Sequence, residues 1–390
     1  MLLESDKKLA PIVLFTYNRL SHTRQTLEAL QQNKLASKSE LFIFSDGGKD
    51  EESWQKVNKV REYLKTIKRF KNITLVFGEK NIGLADSIIF GVTDIVNRYG
   101  KIIVLEDDIV TSPYFLKFMN DALSFYENEK SIWDITGWNY PIKTEVSRDT
   151  FMWRVAGCWG WATWADRWKN FQRNPQELVD RFSAYDIYKF NLDGVYDFWS
   201  QVVLNNEGKI DTWAIFWYAA SFEHNALSVA PVKSLVKNIG FDDQATNCFG
   251  EDPFDGMVEK TCPAVFEGKI SEDYEVVESI KSYIISSKQE DRLYWFSKEL
   301  NRIYIEAKKI TGRVVLYGDG VFAKILRPIL KDKIVGGINT EVLKNNPKIL
   351  LAIEYDLIVI TALGREAEIF LFLTNQIGIE KNKIFTFKKQ

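Results

Sequence analysis

The sequence predicts an α/β protein built on a doubly wound sheet, followed by a second, smaller α/β unit. Three observations predict it. Short apolar runs alternate with amphipathic helical patterns from Pro11 to Leu105. Acidic residues stand at the ends of two of those runs, where open α/β sheets bind their ligands. The same alternation begins afresh at Arg313, after a long charged stretch.

The elements follow in order. Pro11–Tyr17 (PIVLFTY) is a buried strand that enters a helix at Ser21. Glu40–Asp46 is a second strand, ending in Ser45-Asp46-Gly47-Gly48. Glu52–Ile67 is an amphipathic helix, Ile73–Phe77 a third strand and Leu84–Arg98 another helix. Lys101–Leu105 is a fourth strand that runs straight into Glu106-Asp107-Asp108. Ser131–Ile270 is less regular, with helices near Pro175–Phe182 and Trp213–Glu223 and a strand, turn, strand and loop over Ser228–Phe241. Residues 1–267 are therefore expected to form one domain, 268–312 a helical linker, and 313–390 a Rossmann-like domain with strands at Arg313–Tyr317, Lys333–Ile338, Leu357–Thr361 and Lys383–Phe387.

Composition excludes several classes. The net charge of the 390 residues is only -2, which argues against broad binding to nucleic acid. Two histidines, His22 and His224, leave no room for a His-based triad or a multi-His metal site. Cys158, Cys248 and Cys262 match no zinc spacing and read as reduced cytosolic thiols. No signal peptide and no run of about 18 apolar residues is expected.

Four groups could carry chemistry. Glu106, Asp107 and Asp108 follow a buried strand, where uncompensated acids are costly; a divalent cation such as Mn²⁺ or Mg²⁺ would compensate them, or Asp107 or Asp108 could cap a helix near Ser112-Pro113. Asp46 ends a strand and also fits a plain Asp-Gly turn, while Arg19 after the first strand fits a phosphate, a base or solvent. Trp153–Trp168 interleaves indoles with Gly and Ala, suited either to the apolar face of a sugar or to a core rich in Trp. Asp211, before Thr212-Trp213, fits an N-cap or a general base, with Asp193 and Asp197 as rivals.

PIVLFTYNR, FSDGG, LEDDIVTSPYF, ITGWNY, GCWGWATW, DTWAIFWYA and SLVKNIGFDDQATNC, in that order, resemble GT-A glycosyltransferases related to the N-acetylglucosaminyltransferase I group and its bacterial polysaccharide-synthesis cousins. The likeness spans about the first 265 residues and implies a mixed GT-A sheet. It implies a metal-dependent, inverting transfer from a nucleotide-diphospho-sugar, UDP being the commonest nucleotide among the relatives, to a glycan or lipid-linked acceptor in surface polysaccharide synthesis. Thr16, Tyr17, Arg19, Asp46, Glu106 and Asp107 fall on the nucleotide side, and Asp108 on the metal-ligating position. Trp138, Asn139, Trp159, Gly160, Trp161, Asn238, Gly240 and Asp242 fall along the donor and acceptor pocket. Asp211 falls on the base of the bacterial relatives, whereas the eukaryotic ones place a carboxylate where Ala214 stands, and ATHC reads ATNC here with Asn247 for His.

Two other classes stay open at this stage: a nucleotide-sugar-binding scaffold without catalysis, suggested by Ala214, and a sugar nucleotidyltransferase, disfavoured because Thr16–Ser21 lacks glycine. The C-terminal unit resembles small Rossmann-like domains appended to bacterial sugar-modifying enzymes. Gly318, Gly320 and Ala323 fit a loose G-x-G-x-x-A, but the second strand ends in Gly336-Gly337-Ile338-Asn339 without the acid that would hold a ribose. It is expected to pack, to bind a protein partner or to self-associate. The whole is expected in the bacterial cytosol, peripheral to the inner membrane face if the acceptor is lipid-linked.

Overall fold

The computed structural model describes residues 8–142, 146, 148–241, 258–263, 266, 268–287, 307, 309–319, 321–361 and 366–386. Asp242, Asn247, Cys248 and Gly320 lie outside them. The chain divides into two compact units, Met1–Ser287 and Lys288–Gln390.

The first unit is organised by strands whose successive side chains face opposite ways. β1 (Ile12–Thr16), β2 (Glu40–Ser45), β3 (Asn72–Phe77) and β4 (Lys101–Glu106) are parallel, in the order β3-β2-β1-β4. Ile12 and Leu14 face α1 (Leu20–Gln31) and α2 (Glu51–Leu64) across one core, and Val13 and Phe15 face α3 (Leu84–Tyr99) across another. This two-sided burial is why these strands are continuous apolar runs. The edge strand β3 instead alternates between more and less exposed residues at its start. α2 starts where the sequence pattern says, held by a reciprocal cap between Asp50 and Ser53.

Beyond β4 the sheet turns mixed. β5 (Ile109–Thr111) leaves it to pair with a later strand; α4 (Phe115–Phe125) follows; then β6 (Ile132–Thr136), β7 (Thr150–Trp153) and β8 (Trp161–Trp164) join. β8 runs antiparallel between β4 and β6, and β9 (Leu227–Pro231) lies between β6 and β7. α5 (Ala165–Trp168), α6 (Pro175–Arg181), α7 (Ala184–Phe190), α8 (Trp199–Asn206) and α9 (Ala214–Glu223) fill the gap between β8 and β9. α10, over residues 274–287, belongs to this unit's core: Val276, Val277, Ile280 and Ile284 are buried beside Phe216 and Tyr218. The first unit thus runs past the expected boundary at 267 and includes part of the expected linker.

Asp134 on β6 is buried and accepts hydrogen bonds from Ser228 Oγ (2.6 Å), the Gly157 amide (3.0 Å) and Trp217 Nε1 (3.3 Å). Burial pushes its pKa up to about 6 against those three donors. The folded protein therefore holds this proton more tightly than the unfolded chain, and the contribution to stability is full below about pH 4 and lost as pH rises through 6. The loss is about 3 kcal/mol for this group. Asp134→Asn should flatten that part of the stability profile, read from denaturant midpoints between pH 4 and 7. A variant with the wild-type slope would remove Asp134 from the account.

The second unit has a four-stranded parallel sheet in the order β12-β11-β13-β14. Its strands are β11 (Val314–Tyr317), β12 (Ile334–Ile338), β13 (Leu357–Ile360) and β14 (Ile384–Phe385). α11 (Val321–Ile329) follows the turn at Gly318, α12 (Thr340–Asn345) is capped by Asn339, and α13 (Glu366–Leu371) completes the unit. Among the described residues, no helix is long and apolar enough to cross a membrane.

Candidate active site

β1 and β4 are hydrogen-bonded neighbours with Phe15 opposite Glu106, so their carboxyl ends deliver Tyr17–Arg19 and Glu106–Asp108 to one place. Arg19 precedes α1 and sends Nη2 to Asp107 Oδ1 at 2.5 Å and to Asp108 Oδ2 at 2.7 Å. Asp107 is buried; its carboxylate also receives longer contacts from the Tyr17 amide and the Thr23 hydroxyl, both 3.5 Å, and its carbonyl accepts from the Thr26 hydroxyl at 2.8 Å. Thr16 is buried at the strand end, its hydroxyl on the Phe44 carbonyl. Burial, then the Asp108 and Asp107 charges, push the Glu106 pKa up to about 8 against the pull of Arg19. Burial likewise raises Asp107, with Arg19 opposing.

Two carboxylates, Asp107 and Asp108, thus share one guanidinium beside Glu106, an excess of negative charge in a partly dry place. That is a donor set suited to a hard divalent cation. Among the described residues, no group of three or more His, Cys, Asp or Glu could hold a metal by itself. The helix-cap alternative fails on geometry. α4 begins at Phe115 behind Tyr114 with no side-chain cap, and Asp107 and Asp108 turn instead into β5.

β10 (Val236–Asn238) pairs antiparallel with β5, setting Asn238 opposite Ile109. The Ile239 amide then donates to the Asp108 carbonyl at 2.9 Å, and Asn238 Oδ1 accepts from the Gly240 amide at 2.7 Å. A Cβ at 240 would run into Asp108 Oδ2, so any larger residue there would push the Asp108 carboxylate aside. Beside this turn, Trp159 meets Phe241 edge-on at 5.8 Å and Trp138 edge-on at 4.7 Å. Gly160 has φ +64° and its carbonyl accepts from the Gly137 amide at 2.7 Å, which folds Trp159 out of the sheet.

Two pocket expectations are corrected. Trp161 is fully buried, stacked on Trp213 at 5.2 Å, and belongs to a core with Trp168 and Trp217, so its ring lines no open pocket. Its neighbour in the motif, Trp159, lies before β8 and leaves the chain on the other side because Gly160, at φ +64°, turns the backbone between them. Asn139 is also buried; its Nδ2 donates to the Val232 carbonyl at 2.7 Å and ties two chain segments together. Asp242 falls outside the described residues.

Asp46 directly follows β2 and its carboxylate accepts from the Gly47, Ile82 and Gly83 amides and from Asn81 Nδ2, all within 3.3 Å. Asp211 is not the cap of α9: Trp213 holds that position without a side-chain bond. Asp211 is exposed and ion-paired with Arg173, which also binds Asp86 in the first turn of α3 at 2.9 Å. Its Oδ2 lies 3.9 Å from where a Gly83 Cβ would stand, so it borders the loop bonded to Asp46. The rivals are spent elsewhere. Asp193 is held by Lys189, Lys281 and Arg154, which set its pKa well below the usual carboxylate range against the effect of burial. Asp197 accepts from the Ser200 amide at the start of α8. Arg173, Asn81 and Arg61 were not picked out from sequence. Asn81-Ile82-Gly83 before a helix is a loop signal, and Arg61 shares a face of α2 with Trp54, seven residues before it.

The chain can now be set beside known proteins. Residues 2–176 match the GNT-I family model. No curated protein matches the chain. Solved structures that align over part of it include three examples. One is the mannosyltransferase PcManGT from Pyrobaculum calidifontis in complex with GDP-Man and Mn²⁺, at 9% identity over 57% of this chain and 73% of that one, with a TM-score of 0.31. S. aureus TarS aligns at 15% identity over 50% and 34%, with a TM-score of 0.30. A UDP-glucose pyrophosphorylase complexed with UDP-glucose aligns at 14% over 42% and 79%, with a TM-score of 0.25. The family match is different in kind, because it covers Arg19, Asp46, Glu106–Asp108 and the Trp138–Trp159 wall in one stretch. The N-terminal unit is a glycosyltransferase that resembles the GNT-I family.

Proposed function

We propose that the protein is a metal-dependent, inverting glycosyltransferase that moves a sugar from a nucleotide-diphospho-sugar, a UDP-sugar, to a hydroxyl of a glycan or lipid-linked saccharide in bacterial surface polysaccharide synthesis. The observation that carries this reading is the place of Asp108: in an acid triplet with excess negative charge, against Gly240, beside the Trp138–Trp159–Phe241 wall. Asp108 would ligate Mn²⁺ or Mg²⁺, whose chemistry is to neutralise charge on the departing diphosphate. Arg19 would keep Asp107 as its partner if Asp108 held the cation, and would supply positive charge beside the diphosphate. Thr16, Tyr17 and the Asp46 loop form the nucleotide side. Trp138 and Trp159 present ring faces and edges to the apolar side of a pyranose. Asp211 takes the proton from the acceptor hydroxyl, the new bond forms at the anomeric carbon, and the nucleoside diphosphate leaves from the opposite side. An α-linked donor therefore yields a β-linked product. The enzyme works in the cytosol, at the inner membrane face if its acceptor is lipid-linked, and the second unit serves as a packing or partner-binding module.

The test is a panel of nucleotide sugars and nucleoside diphosphates with Mn²⁺, read as thermal shift. A ligand at one hundred times its Kd stabilises by about 2.7 kcal/mol. Stabilisation by a UDP-sugar that is lost in EDTA, with UDP released during turnover, is the expected result. Release of pyrophosphate instead would assign a nucleotidyltransferase. Binding without turnover or donor hydrolysis would assign a scaffold.

A further inference from the structure

Asp46 is the acid that a nucleotide-binding reading would aim at the base. Its carboxylate, however, has no acceptor site to spare. An ionised carboxylate offers about four lone-pair sites. Here Oδ1 takes the Gly47 amide at 2.9 Å and the Ile82 amide at 3.1 Å, and Oδ2 takes the Gly83 amide at 3.0 Å and Asn81 Nδ2 at 2.8 Å.

The backbone beneath it is held as firmly. Arg61 Nη2 donates to the carbonyls of Ser45 (3.0 Å), Asp46 (3.3 Å) and Gly78 (2.7 Å), and Nε donates to Ser45 Oγ at 3.2 Å. Its guanidinium lies over the Trp54 and Phe77 rings, 5.1 and 4.8 Å from their centres. Ser45 and Phe77 are the last register pair of β2 and β3, so Arg61 closes the open end of that ladder with the planar fork that only arginine has. Asn81 Nδ2 also donates to the Gly47 carbonyl at 2.9 Å. A Cβ on Gly47 would stand 2.5 Å from the Lys80 carbonyl carbon. Segments 45–47 and 78–83 are therefore one bonded unit, and its far end, Gly83, both starts α3 and borders Asp211.

We infer that Asp46 and Arg61 form a two-tier clamp that sets the position of the 81–83 loop, and that Asp46 acts on nucleotide binding through this loop without touching the base. The second half rests on the proposed function; the first does not.

Two measurements on the full chain test it. In ligand-free protein, the Ile82 and Gly83 amides should be protected from hydrogen exchange. They should exchange roughly tenfold faster or more in Asp46→Ala and in Arg61→Ala, since bonds to a charged group are the stronger kind. Unchanged exchange in both variants overturns the clamp whatever nucleotides do. Calorimetric Kd values for UDP and CDP with Mn²⁺ test the second half. Asp46→Asn, Arg61→Lys and Arg61→Ala should weaken UDP and CDP by the same factor and leave their ratio within about twofold. A carboxylate that read the base would accept the uracil imide N–H and reject the cytosine ring nitrogen. In that case Asp46→Asn would shift the ratio toward CDP by roughly tenfold or more while the Arg61 variants left it alone, and this overturns indirect action. If wild type binds neither nucleotide, the nucleotide reading falls with the second half, and hydrogen exchange still decides the clamp.

Discussion

Asp108→Ala is expected to lower sugar transfer by at least about 10²-fold while the protein stays folded. Lewis-acid stabilisation of a departing diphosphate supplies several kcal/mol, and each 1.36 kcal/mol is a factor of ten. The fold should survive because Arg19 keeps its bond to Asp107, and because removing one of three neighbouring acids relieves repulsion on Glu106. Gly240→Ala reaches the same carboxylate from the other side, since its methyl would displace Asp108 without altering any charge. Loss of Mn²⁺-dependent turnover in both variants, with melting temperatures near wild type, is the expected pattern. An Asp108→Ala enzyme within tenfold of wild-type turnover in EDTA-treated, Mn²⁺-supplemented buffer would reduce the acid triplet to a structural partner of Arg19.

The first four strands were legible because each is a buried apolar run joined to its neighbours by a helix with its own period. Pattern, length and connection all point to parallel pairing. β6, β7 and β8 were not. They are short, and each pairs with a strand far away in sequence, as Trp161 does with Val104 and Thr150 with Pro231. No local pattern encodes those partners. The helix over 274–287 did carry a signal: Val276, Val277, Ile280 and Ile284 form one apolar stripe, which a solvated linker does not need.

The site divides along the same line. Glu106–Asp108 were legible because acids at the end of a buried strand demand an explanation. The indoles were not separable, since Trp159 and Trp161 have the same composition and differ only in which side of the chain they leave. One lies in a wall against Phe241 and the other beneath the sheet against Trp213. Asp46 was placed correctly at a strand end, but its donors come from Asn81–Gly83, over thirty residues on, and only the fold reveals that its lone pairs are taken.

Asp211→Asn is expected to reduce turnover by roughly 10²–10⁴-fold, the range for loss of a general base, with the fall in kcat and the donor KM near wild type. The structure sharpens this test. Since Trp213, and not Asp211, stands at the start of α9, no capping bond is at stake. The pair with Arg173 involves an Asp211 side chain that is 60% exposed, and exposed pairs contribute about 0–1 kcal/mol, so stability should hardly move. Asp86 is the natural control. It binds the same guanidinium at 2.9 Å, so Asp86→Asn removes a comparable surface bond while leaving Asp211 paired. If Arg173 serves to aim Asp211, Arg173→Ala should give a smaller fall than Asp211→Asn. Three outcomes decide among the carboxylates. A deep loss in Asp211→Asn with near-normal Asp86→Asn assigns the base to Asp211. The reverse assigns it to Asp86. Less than a tenfold fall in both leaves Arg173 and its two acids as a surface bridge between α3 and the approach to α9, and the base must then come from a residue outside this cluster.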